Sequence, residues 1–220
     1  MRSIILLAPP AAGKGTQSDL ICNKYNVPHI STGDLLRAAV RENHPSAQII
    51  NDLMNSGALV TDDIILDLLK ERLAKSDCDN GYVLDGFPRN VPQAVAYEEI
   101  LKNISKELGD VILLDIDREL AKKRIVGRLS CPACGSVYNS MFDETKPKVE
   151  NACDNCHSEL TKRDDDNEET FDKRFDAYVE KAKPLIDYYN NKGVLHRIDS
   201  GINKEYTFNE IEKIIKEQND

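Results

Sequence analysis

An uncharged apolar run, Ile4-Ile5-Leu6-Leu7, breaks into a loop of alanine, proline and glycine, and the chain turns helix-compatible from Thr16 to Tyr25. Strand, loop and helix in that order form the setting that a phosphate-binding loop requires. Backbone N–H groups of the loop and of the helix start converge on one spot, where the partial positive charge of the helix end favours an anion. Lys14 adds a mobile full charge there, and the Thr16 hydroxyl stands where it can reach a Mg²⁺ ion.

The pattern G-x-x-x-x-G-K-[ST] is not met to the letter: Ala8 occupies its first glycine position, and Gly15 separates Lys14 from Thr16. Arg2 before an apolar stretch also has the outline of a signal peptide. Lys14, Gln17 and Asp19 follow at once, however, and the later motifs need this segment in place. At 220 residues the chain is long enough for a full α/β core with an insertion. No apolar run approaches the roughly 20 residues of a membrane span. A formal charge of −9 argues against a general basic surface for nucleic acid, so a polyphosphate ligand must be met by local arginines. Of the six cysteines, four fall in C-x-x-C pairs, which reads as metal binding in a reducing cytoplasm.

Five short runs read as buried strands: residues 3–7, 27–30, 82–84, 111–115 and 194–198. Helical spacing of apolar residues fills 20–25, 35–40, 49–54, 64–73, 91–108 and 120–129 between them. A charged helix over 168–190 should kink or end near Lys183, before Pro184, and a last helix covers 207–216. Alternation of this kind implies a parallel sheet covered on both faces, with ligands at the carboxyl ends of the strands.

Further chemical signals sit on these ends. Ser31-Thr32-Gly33-Asp34-Leu35-Leu36-Arg37 reads as a capped helix with Arg37 one turn in; by itself it is equally a solvated helix start. Around Gly57 the small residues would let a flat base approach the backbone, and Thr61 caps the next helix. The stretch Asp85-Gly86-Phe87-Pro88-Arg89 places an aspartate at a strand end, turns sharply, and leaves an arginine beside the phosphate loop. Asp85 can hold the water shell of Mg²⁺ and Arg89 can make bidentate phosphate contacts. Arg124 and Arg128 lie four apart on one predicted helical face. Cys131, Cys134, Cys153 and Cys156 form C-x₂-C-x₁₈-C-x₂-C, the spacing of a closed four-thiolate zinc site. His157 reads as a bystander, and Cys22 and Cys78 as buried or inert.

Together these motifs, in this order over nearly the whole chain, resemble the adenylate kinase family in its long, bacterial-type form with a zinc-bearing lid. The resemblance implies a P-loop nucleoside-monophosphate-kinase fold: a central five-stranded parallel sheet with helices on both faces and a zinc-ribbon-like lid. Its core would span 1–30, 62–128 and 164–220, with an AMP-binding insert at 31–61 and the lid at 129–163. It implies reversible transfer of the terminal phosphoryl group of Mg·ATP to AMP, giving two ADP, by a cytoplasmic monomer. Lys14, Arg89, Arg128, Arg163 and Arg174 would be catalytic. Ala11, Ala12, Gly13, Lys14, Gly15, Thr16, Arg124 and Arg128 would hold ATP, with Arg124 stacked on its adenine. Thr32, Arg37, Met54, Leu59, Val60, Gly86, Arg89, Gln93, Arg163 and Arg174 would hold AMP, and Asp85 the Mg²⁺ water shell. The chain departs from the family at Ala8 and Ala11, where glycine is usual. If either takes φ > 0 it costs roughly 1 kcal/mol or more; the expectation is that the loop tolerates both. Alternatives are a related kinase with another base or donor (UMP, CMP or GTP) and a nucleotide-binding module without turnover.

Overall fold

The computed structural model describes residues 1–56, 60–162 and 166–217. In chain order its elements are β1 (Ile4–Leu7), α1 (Lys14–Tyr25), β2 (His29–Ser31), α2 (Thr32–Arg41), α3 (Ala47–Ser56), α4 (Asp62–Leu73), β3 (Val83–Asp85), α5 (Val91–Asn103), β4 (Asp110–Asp115) and α6 (Arg118–Val126). There follow β5 (Arg128–Ser130), β6 (Val137–Asn139), α7 (Glu168–Asn191), β7 (Leu195–Asp199) and α8 (Lys204–Glu217). The five apolar runs form one parallel sheet in the order β2-β3-β1-β4-β7, their bounds shifted by one or two residues from those expected.

Both faces of the sheet are covered, which is why its strands read as continuous apolar runs. Ile5, Leu7, Leu84, Val111 and Leu113 pack on one face against Leu69 and Leu73 of α4, Tyr97 and Leu101 of α5, and Leu185 and Tyr189 of α7. Ile4, Leu6, Val83, Ile112 and Leu114 face the other way, onto Ile21 of α1 and Ile211 and Ile215 of α8. Among the smaller clusters are two satellite cores: Ala39, Ile50, Val60 and Leu68 among α2, α3 and α4, and Cys131, Cys153 and Leu160 beside the antiparallel hairpin β5–β6.

Four local expectations are corrected. The helix expected over 91–108 stops at Asn103, because Ser105 turns left-handed (φ 54°) and the Lys106 N–H returns to the Leu101 carbonyl, closing the end. Arg124 and Arg128 do not share a helical face: α6 ends at Val126, and Arg128 opens β5. The incoming β6 causes this. The Asn139 amide donates to the Arg124 carbonyl and the Ser140 N–H to that of Gly127, and a Cβ on Gly127 would stand 2.3 Å from Asn139 Oδ1. The long helix does not end near Lys183. It runs on through Pro184, since the turn beyond is anchored by buried Leu185 and Tyr189. Thr61 stands at the N-terminus of α4, but its side chain makes no capping bond.

Candidate active site

Parallel pairing sets the carboxyl ends of β1, β2 and β3 side by side, with Ser31 opposite Asp85 and Leu6 opposite Asp85 on the other flank. From β1 the loop folds back, the Ala12 N–H reaching the Pro9 carbonyl at 3.3 Å. Ala11 and Gly13 both take left-handed backbone angles, φ 64° and 84°. Ala8 is not among the positive-φ residues. Gly13 opens α1 without a side-chain cap, and no acidic residue stands in the first turn of Lys14, Gly15 and Thr16. The N–H groups of that helix start are therefore left for an anion.

Lys14 reaches across to β3 and meets Asp85 Oδ1 at 2.6 Å, while His29 Nε2 lies 3.3 Å from Asp85 Oδ2. Burial would raise the Asp85 carboxyl; the His29 hydrogen bond and the Lys14 ammonium outweigh it, and the shift is downward. The Asp85 hydrogen bond raises His29 against the opposing effect of burial. A single carboxylate held by Lys14 near an uncapped helix start has the chemistry for a Mg²⁺ ion that arrives with phosphate and keeps its waters.

A second group surrounds Arg89. Its Nε donates to the Gly86 carbonyl at 2.9 Å and its Nη2 to Thr32 Oγ1 at 3.4 Å. Gly86 needs its lack of a side chain because its φ is +75°. The buried Gln93 accepts from the Arg89 N–H and donates to Asp62 Oδ1, each at 2.7 Å. Ser31 caps α2 through the Asp34 N–H, and its hydroxyl donates to Asp34 Oδ2 at 2.6 Å. Arg37 folds back onto Asp34 Oδ1, also at 2.6 Å. The Ser31 hydroxyl and then Arg37 hold the Asp34 carboxyl below its ordinary range. Met54 is exposed on α3, whereas Val60 is buried in the satellite core.

Arg124 and Arg128 occupy separate places. The Arg124 guanidinium donates to the Ser200 and Gly201 carbonyls at 3.0 and 3.2 Å. Arg128 grips Asp166 with two hydrogen bonds of 2.8 and 2.5 Å, and Asp166 is only 1% exposed. Arg174 lies in the second turn of α7. Leu59 and Arg163 lie outside the described residues.

The four cysteines of the two C-x-x-C pairs converge. Cys131 and Cys156 sulfurs stand 3.4 Å apart, those of Cys134 and Cys153 3.5 Å, and all four lie within 4.8 Å of one another. Tetrahedral zinc with bonds of about 2.3 Å calls for sulfurs about 3.8 Å apart, so the cluster fits that ion. Around it, Tyr138 accepts from the Asp154 N–H and turns its own hydroxyl to Cys153, and Ser136 lies 3.1 Å from Cys134. His157 is outside the cluster. Burial pushes the Cys22 thiol up to about 11, with Asp19 adding to it, and raises that of buried Cys78.

The sequence model of the adenylate kinase family matches residues 6–194, from the phosphate loop through both satellite cores to the end of α7. The chain belongs to the adenylate kinase family. It is 44% identical over 213 residues to an adenylate kinase of Syntrophobacter fumaroxidans, covering 97% of this chain and 99% of the relative. An adenylate kinase of Clostridium botulinum is 42% identical over 212 residues, 96% and 97% of the two chains. One from Archaeoglobus fulgidus is 42% identical over 214 residues, 97% and 98%.

Within this adenylate kinase family chain, reading the sequence overlooked His29, Asp62 and Asp166, each the partner of a residue it singled out. His29 directly precedes the Ile30-Ser31 strand end, but its link to Asp85 depends on strand register. Asp166 ends a run of aspartates in which nothing local marks the partner of Arg128.

Proposed function

We propose that the chain catalyses Mg·ATP + AMP ⇌ 2 ADP. The observation that carries this reading is the Lys14–Asp85 contact at 2.6 Å across an uncapped helix start. A loop lysine held in wait by an acidic strand end beside an open anion site suits phosphoryl transfer. The attacking AMP phosphate is already anionic at neutral pH, so no general base is needed; positioning and charge neutralisation do the work. Lys14 takes the β- and γ-phosphates, and Arg89, Arg128, Arg163 and Arg174 clamp the transferring group and the acceptor phosphate. Loop residues Ala11, Ala12, Gly13, Gly15 and Thr16 cradle the donor, and Arg124 stacks on its adenine. Thr32, Arg37, Met54, Leu59, Val60, Gly86 and Gln93 form the AMP pocket. Mg²⁺ bound with ATP supplies charge neutralisation at the phosphates, its waters held by Asp85.

The two satellite cores support a division into a main domain (1–30, 62–128, 164–220), an AMP-binding insert (31–61) and a lid (129–163). Closure of both inserts would exclude water and protect ATP from hydrolysis. Cys131, Cys134, Cys153 and Cys156 would hold structural zinc that stiffens the lid; four thiolates leave no open position for chemistry. With the family reading comes a monomer working in the cytoplasm. Among the described residues no helix is long and apolar enough to cross a membrane.

Product analysis by chromatography tests the reaction: purified protein and Mg·ATP are mixed with AMP, UMP, CMP or GMP in turn. ADP formed from both ATP and AMP, with little product from the others, is expected. No transfer to any monophosphate from folded, zinc-loaded protein would favour a binding module.

A further inference from the structure

We propose that Asp62 is a positioning residue for base specificity: it holds the Gln93 amide in the orientation that reads a 6-aminopurine. The proposal rests on the reading of Gln93 as the group facing the acceptor base.

Gln93 sits in the first turn of α5, its N–H fixed by Asn90 at 2.9 Å and its side chain only 7% exposed. The side-chain amide has two lone pairs on Oε1 and two hydrogens on Nε2. Arg89 N–H uses one lone pair and Asp62 uses one hydrogen, leaving one of each for a ligand. The two partners are of opposite and unalterable kinds. A backbone N–H only donates and a carboxylate only accepts, so both are satisfied in one of the two amide orientations alone. Reversal would set the Nε2 hydrogens against the Arg89 N–H and Oε1 against the Asp62 carboxylate.

The retained orientation matches one base edge. Adenine presents N1 as acceptor and its 6-amino group as donor, which take the spare N–H and the spare lone pair of Gln93. A 6-oxopurine presents the reverse, N1–H and O6, and would leave the polar groups of the buried Gln93 unpaired. Without the lock, the amide could flip and accept either edge. Arg89 thereby serves at both ends of the acceptor pocket, orienting the base reader through its backbone while its guanidinium stands beside Thr32.

Asp62 has a plainer possible role. With Asp63 it gives the first turn of α4 its negative charge, which favours the helix regardless of any ligand. The two roles separate in kcat/KM measured with AMP and with IMP, an isostere carrying the 6-oxo edge. Asp62→Asn should lower the AMP-to-IMP preference about tenfold, as expected for loss of one charged hydrogen bond, by raising KM for AMP and lowering it for IMP. Asp62→Ala, which removes the acceptor outright, should do the same. Asp63→Asn removes an equal helix charge and should leave the preference unchanged. An unchanged preference in folded Asp62→Asn and Asp62→Ala, or an equal fall in Asp63→Asn, overturns the proposal. Gln93→Ala separates it from the reading beneath: its AMP preference should collapse, and an unchanged KM for AMP would remove Gln93 from the base pocket and the proposal with it. A collapse in Gln93→Ala alongside intact Asp62 variants would reject the role of Asp62 alone.

Discussion

Ala11 is the residue at which this chain asks most of its backbone. Its φ of 64° places a Cβ where a left-handed turn favours none, a strain of roughly 1–2 kcal/mol. The methyl group is not idle, since it packs beside the Phe171, Phe175, Ala121 and Ile125 cluster between α6 and α7. Ala11→Gly would relieve the strain, give up part of a methyl burial worth about 0.8 kcal/mol, and loosen the unfolded chain by about 0.4–1 kcal/mol. These effects nearly cancel. At Ala8, where φ is not positive, the same change brings only the two losses. Urea unfolding should therefore find Ala11→Gly close to the parent protein and Ala8→Gly about 1 kcal/mol less stable. A larger loss at Ala11 than at Ala8 would mean that the left-handed turn is not where the strain lies.

Between elements, an ion pair and a hydrogen bond join α1 to α8. Glu212 of α8, 7% exposed, accepts the Tyr25 hydroxyl at 3.0 Å and meets Lys24 at 2.5 Å, both in the last turn of α1. Lys24 does most to lower the Glu212 carboxyl, with burial opposing and Tyr25 assisting. A carboxyl lowered in the folded state adds stability above its unfolded value, near 4.5, and loses it as pH falls through the folded value. Glu212→Gln should cost about 1 kcal/mol at pH 7, and the gap should close below pH 4.5. A constant gap in urea midpoints from pH 7 to pH 3 would refute this account. Such a pair, 187 residues apart, shows where the sequence stops being readable. The strand and helix alternation was legible because a sheet buried on both faces demands uninterrupted apolar runs, and the cysteine spacing because two tight turns must deliver two thiolates each. Element ends were less so: the stop of α5 depends on one left-handed serine, and the fate of Arg128 on a hairpin that docks behind it. The singled-out residues Arg128 and Gln93 were legible, but Asp166 and Asp62 hold them from positions with no local signature.

The described residues form large cores on the two faces of the sheet and smaller ones beyond them, and their sizes predict how the molecule comes apart. Both faces of the main sheet bury long aliphatic and aromatic side chains, whereas among the described residues the core beside β5–β6 has just Cys131, Cys153 and Leu160 buried, flanked by Leu129 and Tyr138. A two-stranded hairpin with so little apolar burial is marginal by itself. Zinc held by the four cysteines would supply what packing does not. Removing zinc with a strong chelator should then open the lid locally while the sheet stays folded. Limited proteolysis should cut within residues 131–156, and the main thermal transition should keep its position. Because β5 begins at Arg128, an opened lid also frees the guanidinium from Asp166. Phosphoryl transfer should consequently fall by more than about tenfold although the zinc would touch no nucleotide, and added Zn²⁺ should restore both protease resistance and activity. Loss of the main transition together with the lid would mean that the satellite core and the sheet unfold as one unit. A metal-free lid that stays resistant would mean that the hairpin is held by its own hydrogen bonds.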